Sequence, residues 1–95
     1  MAGYVIIDLE IIDEPLFGEF AAKIVDVVAA HGGRYLVRGG ATEVSDGDWN
    51  PGRIVVMEFE SVERAREFVN SPGYQEIIDI RARSTRGSVI IVEGV

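Results

Sequence analysis

Four short β-branched runs are interleaved with helical periodicities in the order β-α-β-β-α-β, and this order narrows the fold more than any other property of the chain. Tyr4 to Ile11 reads as the first strand, with Val5, Ile7 and Leu9 on one face and Tyr4, Ile6, Asp8 and Glu10 on the other. Asp13 then offers an N-cap and Pro15 suits a first helical turn. Phe17, Phe20, Ala21, Ile24, Val27 and Val28 recur at three- and four-residue spacing, which predicts an amphipathic helix that His31-Gly32-Gly33 ends. Arg34 to Arg38 is a short second strand, Ala41 to Gly52 a loop, and Arg53 to Glu60 a third strand with Val55, Met57 and Phe59 on one face. Ser61 caps a second helix whose buried stripe is Val62, Ala65, Phe68 and Val69. Asn70-Ser71-Pro72 breaks it and starts a short third helix with Tyr74, Ile77 and Ile78 inside. Arg83 to Gly87 is expected to be a polar link, and Ser88 to Glu93 the last strand.

The expected fold is α+β, a ferredoxin-like β-α-β-β-α-β sandwich with a four-stranded antiparallel sheet and strands one and three at its centre. Its helices shelter one sheet face. Ile6, Val56 and, on the last strand, Ile90 with Val92 are then left on the other. An uncovered apolar face predicts a partner, and the simplest is a second copy related by a twofold axis. The competing expectation is a monomer with a half-polar sheet.

The 95 residues suffice for one domain, and a hydrophobic content of 47% supplies its core. Sixteen acidic against nine basic residues give a net charge of −7. That field repels nucleic acid and anionic membrane surfaces, so neither is expected as a partner. There is no cysteine, which removes disulfides and thiolate chemistry. No apolar run reaches the ~18 residues of a membrane span, the first residues do not resemble a signal peptide, and a cytoplasmic location is expected by default.

The segment His31-Gly32-Gly33-Arg34-Tyr35-Leu36-Val37-Arg38-Gly39-Gly40 resembles the signature of the DUF1330 family. Gly47-Asp48-Trp49 with Arg53, the stretch Asn70-Ser71-Pro72-Gly73-Tyr74-Gln75 and the closing Val92-Glu93-Gly94 fit the same pattern, so the resemblance spans nearly the whole chain. It implies a place among the dimeric α/β-barrel proteins, in which two ferredoxin-like protomers pack sheet to sheet. The family has no established reaction. Its structural relatives include small monooxygenases, isomerases of the muconolactone type and haem proteins. Where family members often carry a tyrosine after the first helical proline, this chain has Phe17 and Phe20, so a role that needs a phenolic hydroxyl there is missing.

His31 is the only side chain with an ordinary pKa near neutrality; it is a candidate for proton transfer, against a plainer reading as a helix C-cap. Strand alternation puts Arg34 and Arg38 on one face. With Asp8 and Glu58 they are expected to line a polar pocket in which Arg38 forks onto an anionic oxygen, or else to form an intersubunit salt-bridge network. Trp49, in a polar loop, is a candidate pocket lid, packing residue or interface anchor, and Tyr74 is a further candidate ligand contact. Asp8, Glu10 and Glu58 are too generically spaced to predict a cation site, and no phosphate loop, serine nucleophile pattern or haem motif stands out, so no cofactor or metal is expected.

Two functions fit these residues. One is an enzyme acting on a small organic acid or enol by cofactor-free oxygenation or isomerisation, with His31, Arg38 and Asp8 catalytic and Arg34, Trp49, Glu58 and Tyr74 binding the substrate. The other is a non-catalytic small-ligand-binding or structural homodimer. A pocket above about 300 Å³ with convergent polar groups favours the first; a His31 packed against its own helix end favours the second.

Overall fold

Asp13, Ser61 and Ser71 each start a helix, because each side-chain oxygen lies within reach of a backbone N–H three residues on. The computed structural model describes residues 1–95. Leu16 N donates to Asp13 Oδ1 at 3.1 Å, and Arg64 N and Tyr74 N each donate to a serine Oγ at 3.2 Å. The elements are β1 (Gly3–Ile11), α1 (Glu14–Ala30), β2 (Arg34–Arg38), β3 (Arg53–Phe59), α2 (Val62–Val69), α3 (Pro72–Ser84) and β4 (Thr85–Glu93). The α1 end is a Schellman turn: Gly33 N donates to Val28 O and Gly32 N to Ala29 O, both at 3.0 Å, and Gly32 takes a φ of 71°. That conformation suits a residue without Cβ.

The strands form one antiparallel sheet in the order β2-β3-β1-β4, with β1 and β3 central. The sheet is open and does not close into a barrel within one chain. All three helices lie on one face. Val5, Ile7, Leu9, Val55, Met57 and Phe59 meet Phe20, Ile24 and Val28 of α1 and Ala65, Phe68, Tyr74 and Ile77 of α2 and α3. Phe68 is the centre of an aromatic stack, 5.0 Å from Phe59 and 5.2 Å from Tyr74 between ring centroids. The two layers make a slab with extents of 33 × 31 × 16 Å.

Two local expectations fail for reasons of pairing. The polar link at Arg83 to Gly87 does not exist, because α3 runs to Ser84 and β4 begins at Thr85. Ser84 Oγ and Thr85 Oγ1 each donate to a carbonyl four residues back, Ile80 O and Arg81 O, at 2.6 Å. Ser84 O in turn accepts Ile12 N at 2.8 Å, so β4 pairs with β1 from its first residue, Thr85 opposite Ile11. The second failure is in β2. Arg34 pairs with Glu58 and Tyr35 with Met57, but Val37, not Leu36, pairs with Val56, which is a β-bulge. The extra residue flips the remainder of the strand. Arg38 therefore pairs with Val55 on the helix side, opposite to Arg34, and the expected shared face of the two arginines is lost.

Candidate functional site

The pairing register sets out the uncovered face row by row. Val37, Val56, Ile6 and Ile90 lie side by side, one from each strand, and make an apolar band across the whole sheet. Val37 and Ile90 are exposed, and Ile6 and Val56 are half-buried only by their neighbours. The next row is Arg34, Glu58, Tyr4 and Val92. On the other side of the band, Ile54, Asp8 and Ser88 form a third row.

Within the second row the polar groups satisfy one another. Arg34 Nε donates to Glu58 Oε1 at 2.7 Å, and Arg34 Nη2 lies 2.7 Å from the same oxygen. Tyr4 Oη donates to Glu58 Oε2 at 3.1 Å. The Arg34 hydrogen bond, and after it that from Tyr4, holds the Glu58 carboxyl below its ordinary pKa. The same bond to Glu58 is the main reason the Tyr4 phenol is raised. This triad fixes side chains at one end of the open face, and both Glu58 oxygens are already engaged.

Asp8 is engaged as well. Trp49 Nε1 donates to Asp8 Oδ2 at 2.9 Å, and Gly52 N donates to Asp8 Oδ1 at 2.8 Å. One carboxylate thus pins the last part of the loop that precedes β3, at Trp49 and at Gly52. The indole is held in place yet 62% exposed, beside the row that carries Ile54. Asp8 and Glu58 stand opposite Ile54 and Tyr4, four residues apart along β3, or roughly 13 Å. They do not share a pocket. No group of three or more histidine, aspartate or glutamate residues is placed to hold a metal ion.

His31 caps α1. Its Nδ1 lies 2.9 Å from Val27 O, and the ring meets Phe68 edge-on at 5.9 Å. Tyr74 lies in the core, 2% exposed, and burial raises its phenol above the ordinary pKa. His31, Arg38 and Asp8 are therefore not brought together: a helix end, the helix side of an edge strand and the open sheet face hold one each.

Arg38 does face a cavity. It lies between α1 and the β2–β3 side of the sheet, has a volume of about 30 Å³, and is walled by Ile7, Leu9, Phe20, Ile24, Val55 and Met57. Phe17, Ala21, Tyr35, Arg38 and Arg53 complete its lining. The Arg38 guanidinium sits 4.8 Å from the Tyr35 ring centroid and that of Arg53 5.6 Å from Phe17. Burial raises the Tyr35 phenol, against the lowering effect of both arginines. Arg53 is absent from the site residues expected from sequence. The signal was present: Arg53 shares its strand face with Val55, Met57 and Phe59, so alternation alone puts a cation on the core side.

The family model for DUF1330, a domain of unknown function, matches residues 2–95. No curated protein matches the chain. Among solved structures, a protein of unknown function from Rhodopseudomonas palustris superposes with a TM-score of 0.74 at 13% identity, over 99% of this chain and 82% of that one. A dimeric protein of unknown function with a ferredoxin-like fold from Bacteroides fragilis does so with a TM-score of 0.60 at 13% identity, over 98% and 95%. A conserved protein from Methanosarcina mazei gives a TM-score of 0.59 at 12% identity, over 100% and 94%. These likenesses concern the ferredoxin-like fold.

Proposed function

This chain belongs to the DUF1330 family, and we propose that it works as a homodimeric small-ligand-binding module rather than as a catalyst. The observation that carries the dimer is the uncovered band Val37–Val56–Ile6–Ile90, which runs through every strand of the sheet. A face of this kind meets a partner, and a twofold axis lets the same band serve both sides. The slab's broad face, 33 Å by 31 Å, has a footprint of about 1,000 Å². That exceeds the ~800 Å² each partner contributes to a stable interface. That the ferredoxin-like protein from Bacteroides fragilis is dimeric supports self-association. Two such sheets packed face to face would make the dimeric α/β barrel, with Trp49 as an anchor at its rim.

The non-catalytic reading rests on the separation of the proton-moving groups. His31 is turned to its own helix, both Asp8 oxygens accept hydrogen bonds, and Arg38 opens on a cavity that neither reaches. Turnover of a small organic acid or enol would need one of them at that cavity. Native mass spectrometry and small-angle scattering across a concentration series test the dimer, and a chain that stays single at high concentration would falsify it. A screen of small carboxylic acids and enols tests the second half. No turnover is expected, and turnover abolished by replacing His31 or Asp8 would reinstate a catalyst.

A further inference from the structure

We propose that the cavity between α1 and the β2–β3 side of the sheet is a binding site for a small apolar monocarboxylate; this rests on the binding reading above and names its ligand class. The walls are hydrocarbon, from Leu9, Phe20, Ile24 and Val55, while the lining includes two guanidiniums, Arg38 and Arg53. Neither arginine takes part in an ion pair. In a chain of net charge −7, two unpaired cations at one apolar opening stand out as an anion-attracting spot.

Arg53 is held for this purpose. Its guanidinium lies against the Phe17 ring on one side. It also packs on Gly39, where a Cβ would collide with it. Gly39 has a φ of 72°, and its N donates to Ile54 O at 2.8 Å, so backbone geometry keeps that seat open. Arg53 Nε is buried and has no hydrogen-bond partner. A buried donor without an acceptor is unusual in a native fold, and it marks a guanidinium whose charge no protein carboxylate offsets. The planar guanidinium fork suits a carboxylate in two places at once.

The cavity volume sets the size of the apolar part. About 30 Å³ is roughly two to three times the ~10–15 Å³ that a cavity needs to hold one water. It takes a tip of methyl to isopropyl size, not a large ring. The ligand class is therefore a short, straight or branched aliphatic acid, with its tip toward Ile24 and its carboxylate on Arg38 and Arg53.

The test is a methyl NMR titration of the full chain with isobutyrate, with isobutyramide as the neutral isostere and inorganic phosphate as an anion without a tip. Isobutyrate is expected to shift the Leu9, Ile24 and Val55 methyls saturably, with the other two probes binding at least about tenfold more weakly. Arg53→Gln and Arg38→Gln are each expected to weaken isobutyrate by about tenfold. The methyl spectrum reports whether Arg53→Gln stays folded; Arg38 is exposed, and its variant keeps the test decisive if the other unfolds. Equal binding of isobutyramide would overturn the carboxylate while leaving a binding role. Equal binding of phosphate would overturn the apolar tip. No saturable shift with any of the three would remove both this site and the binding reading, with the dimer judged separately by its mass.

Discussion

Trp49 Nε1 and Asp8 Oδ2 meet at 2.9 Å across 41 residues of chain. Asp8 stands on a central strand, so this hydrogen bond ties an exposed loop to the middle of the sheet. The indole is presented to solvent in a fixed pose, which lowers the entropy it would lose on meeting a partner.

Asp8→Ala should release the loop. Trp49 is the only tryptophan, so its fluorescence anisotropy reports the loop alone. The anisotropy is expected to fall, with a stability loss of about 1–2 kcal/mol by urea titration for the two lost hydrogen bonds. An anisotropy equal to the wild type would mean that the bond does not hold the loop in solution.

Val56→Asp puts a charge in the middle of the open apolar band. It should leave the far-UV circular dichroism unchanged and weaken self-association by on the order of 30-fold, as loss of a central interface residue does. Analytical ultracentrifugation checks it. A dimer of undiminished strength would move the interface elsewhere.

Stability should fall on acidification through the Glu58 triad. The hydrogen bonds from Arg34 and Tyr4 lower the folded-state pKa of Glu58, so its contribution is present above the ordinary carboxylate pKa and is lost as pH falls through the lowered value. Tyr74 works at the other end. Burial raises its folded-state pKa, so its contribution is complete below the ordinary phenol value and is lost as pH rises through the raised one. Urea midpoints measured against pH should decline on both flanks. Glu58→Gln should flatten the acid flank and Tyr74→Phe the alkaline one; an unaltered curve in either variant would dissociate that residue from the dependence.

Gly39→Ala should cost about 1–3 kcal/mol, because a side chain at positive φ is strained and the new Cβ meets the Arg53 guanidinium. The neighbouring Gly40→Ala, with open space around it, is the matched control. Thermal melts compare the two, and equal losses would mean that the Arg53 seat has no energetic weight.

What could be read from sequence, and what could not, divides by range of interaction. The three N-caps act over three residues, and Asp13, Ser61 and Ser71 announce them in the letters. The core face of β1 follows from strict alternation of Val5, Ile7 and Leu9, and the open apolar face from Ile6 and Val56 between them. The β2 bulge was not legible, because Leu36 and Val37 are both apolar and both exposed, so the pattern prefers neither register. Its consequence was to separate Arg38 from Arg34 and to divide one expected polar pocket into a surface triad and an apolar cavity. The Ser84–Thr85 junction was hidden for a similar reason, since Ile12, seventy-two residues earlier, sets it. Arg53 was legible by alternation, but only to a reading that allowed a cation on a core face.

The irregularity in β2 also bears on how misassembled chains would behave. A run of molecules joined strand to strand needs two compatible rims, one to give and one to receive. The bulge twists the β2 rim and disturbs its ladder, which leaves β4, the longer edge strand and paired without a register shift, as the one regular rim. Two such rims can join only with each other, so contact of that kind stops at a pair and does not propagate into a fibre.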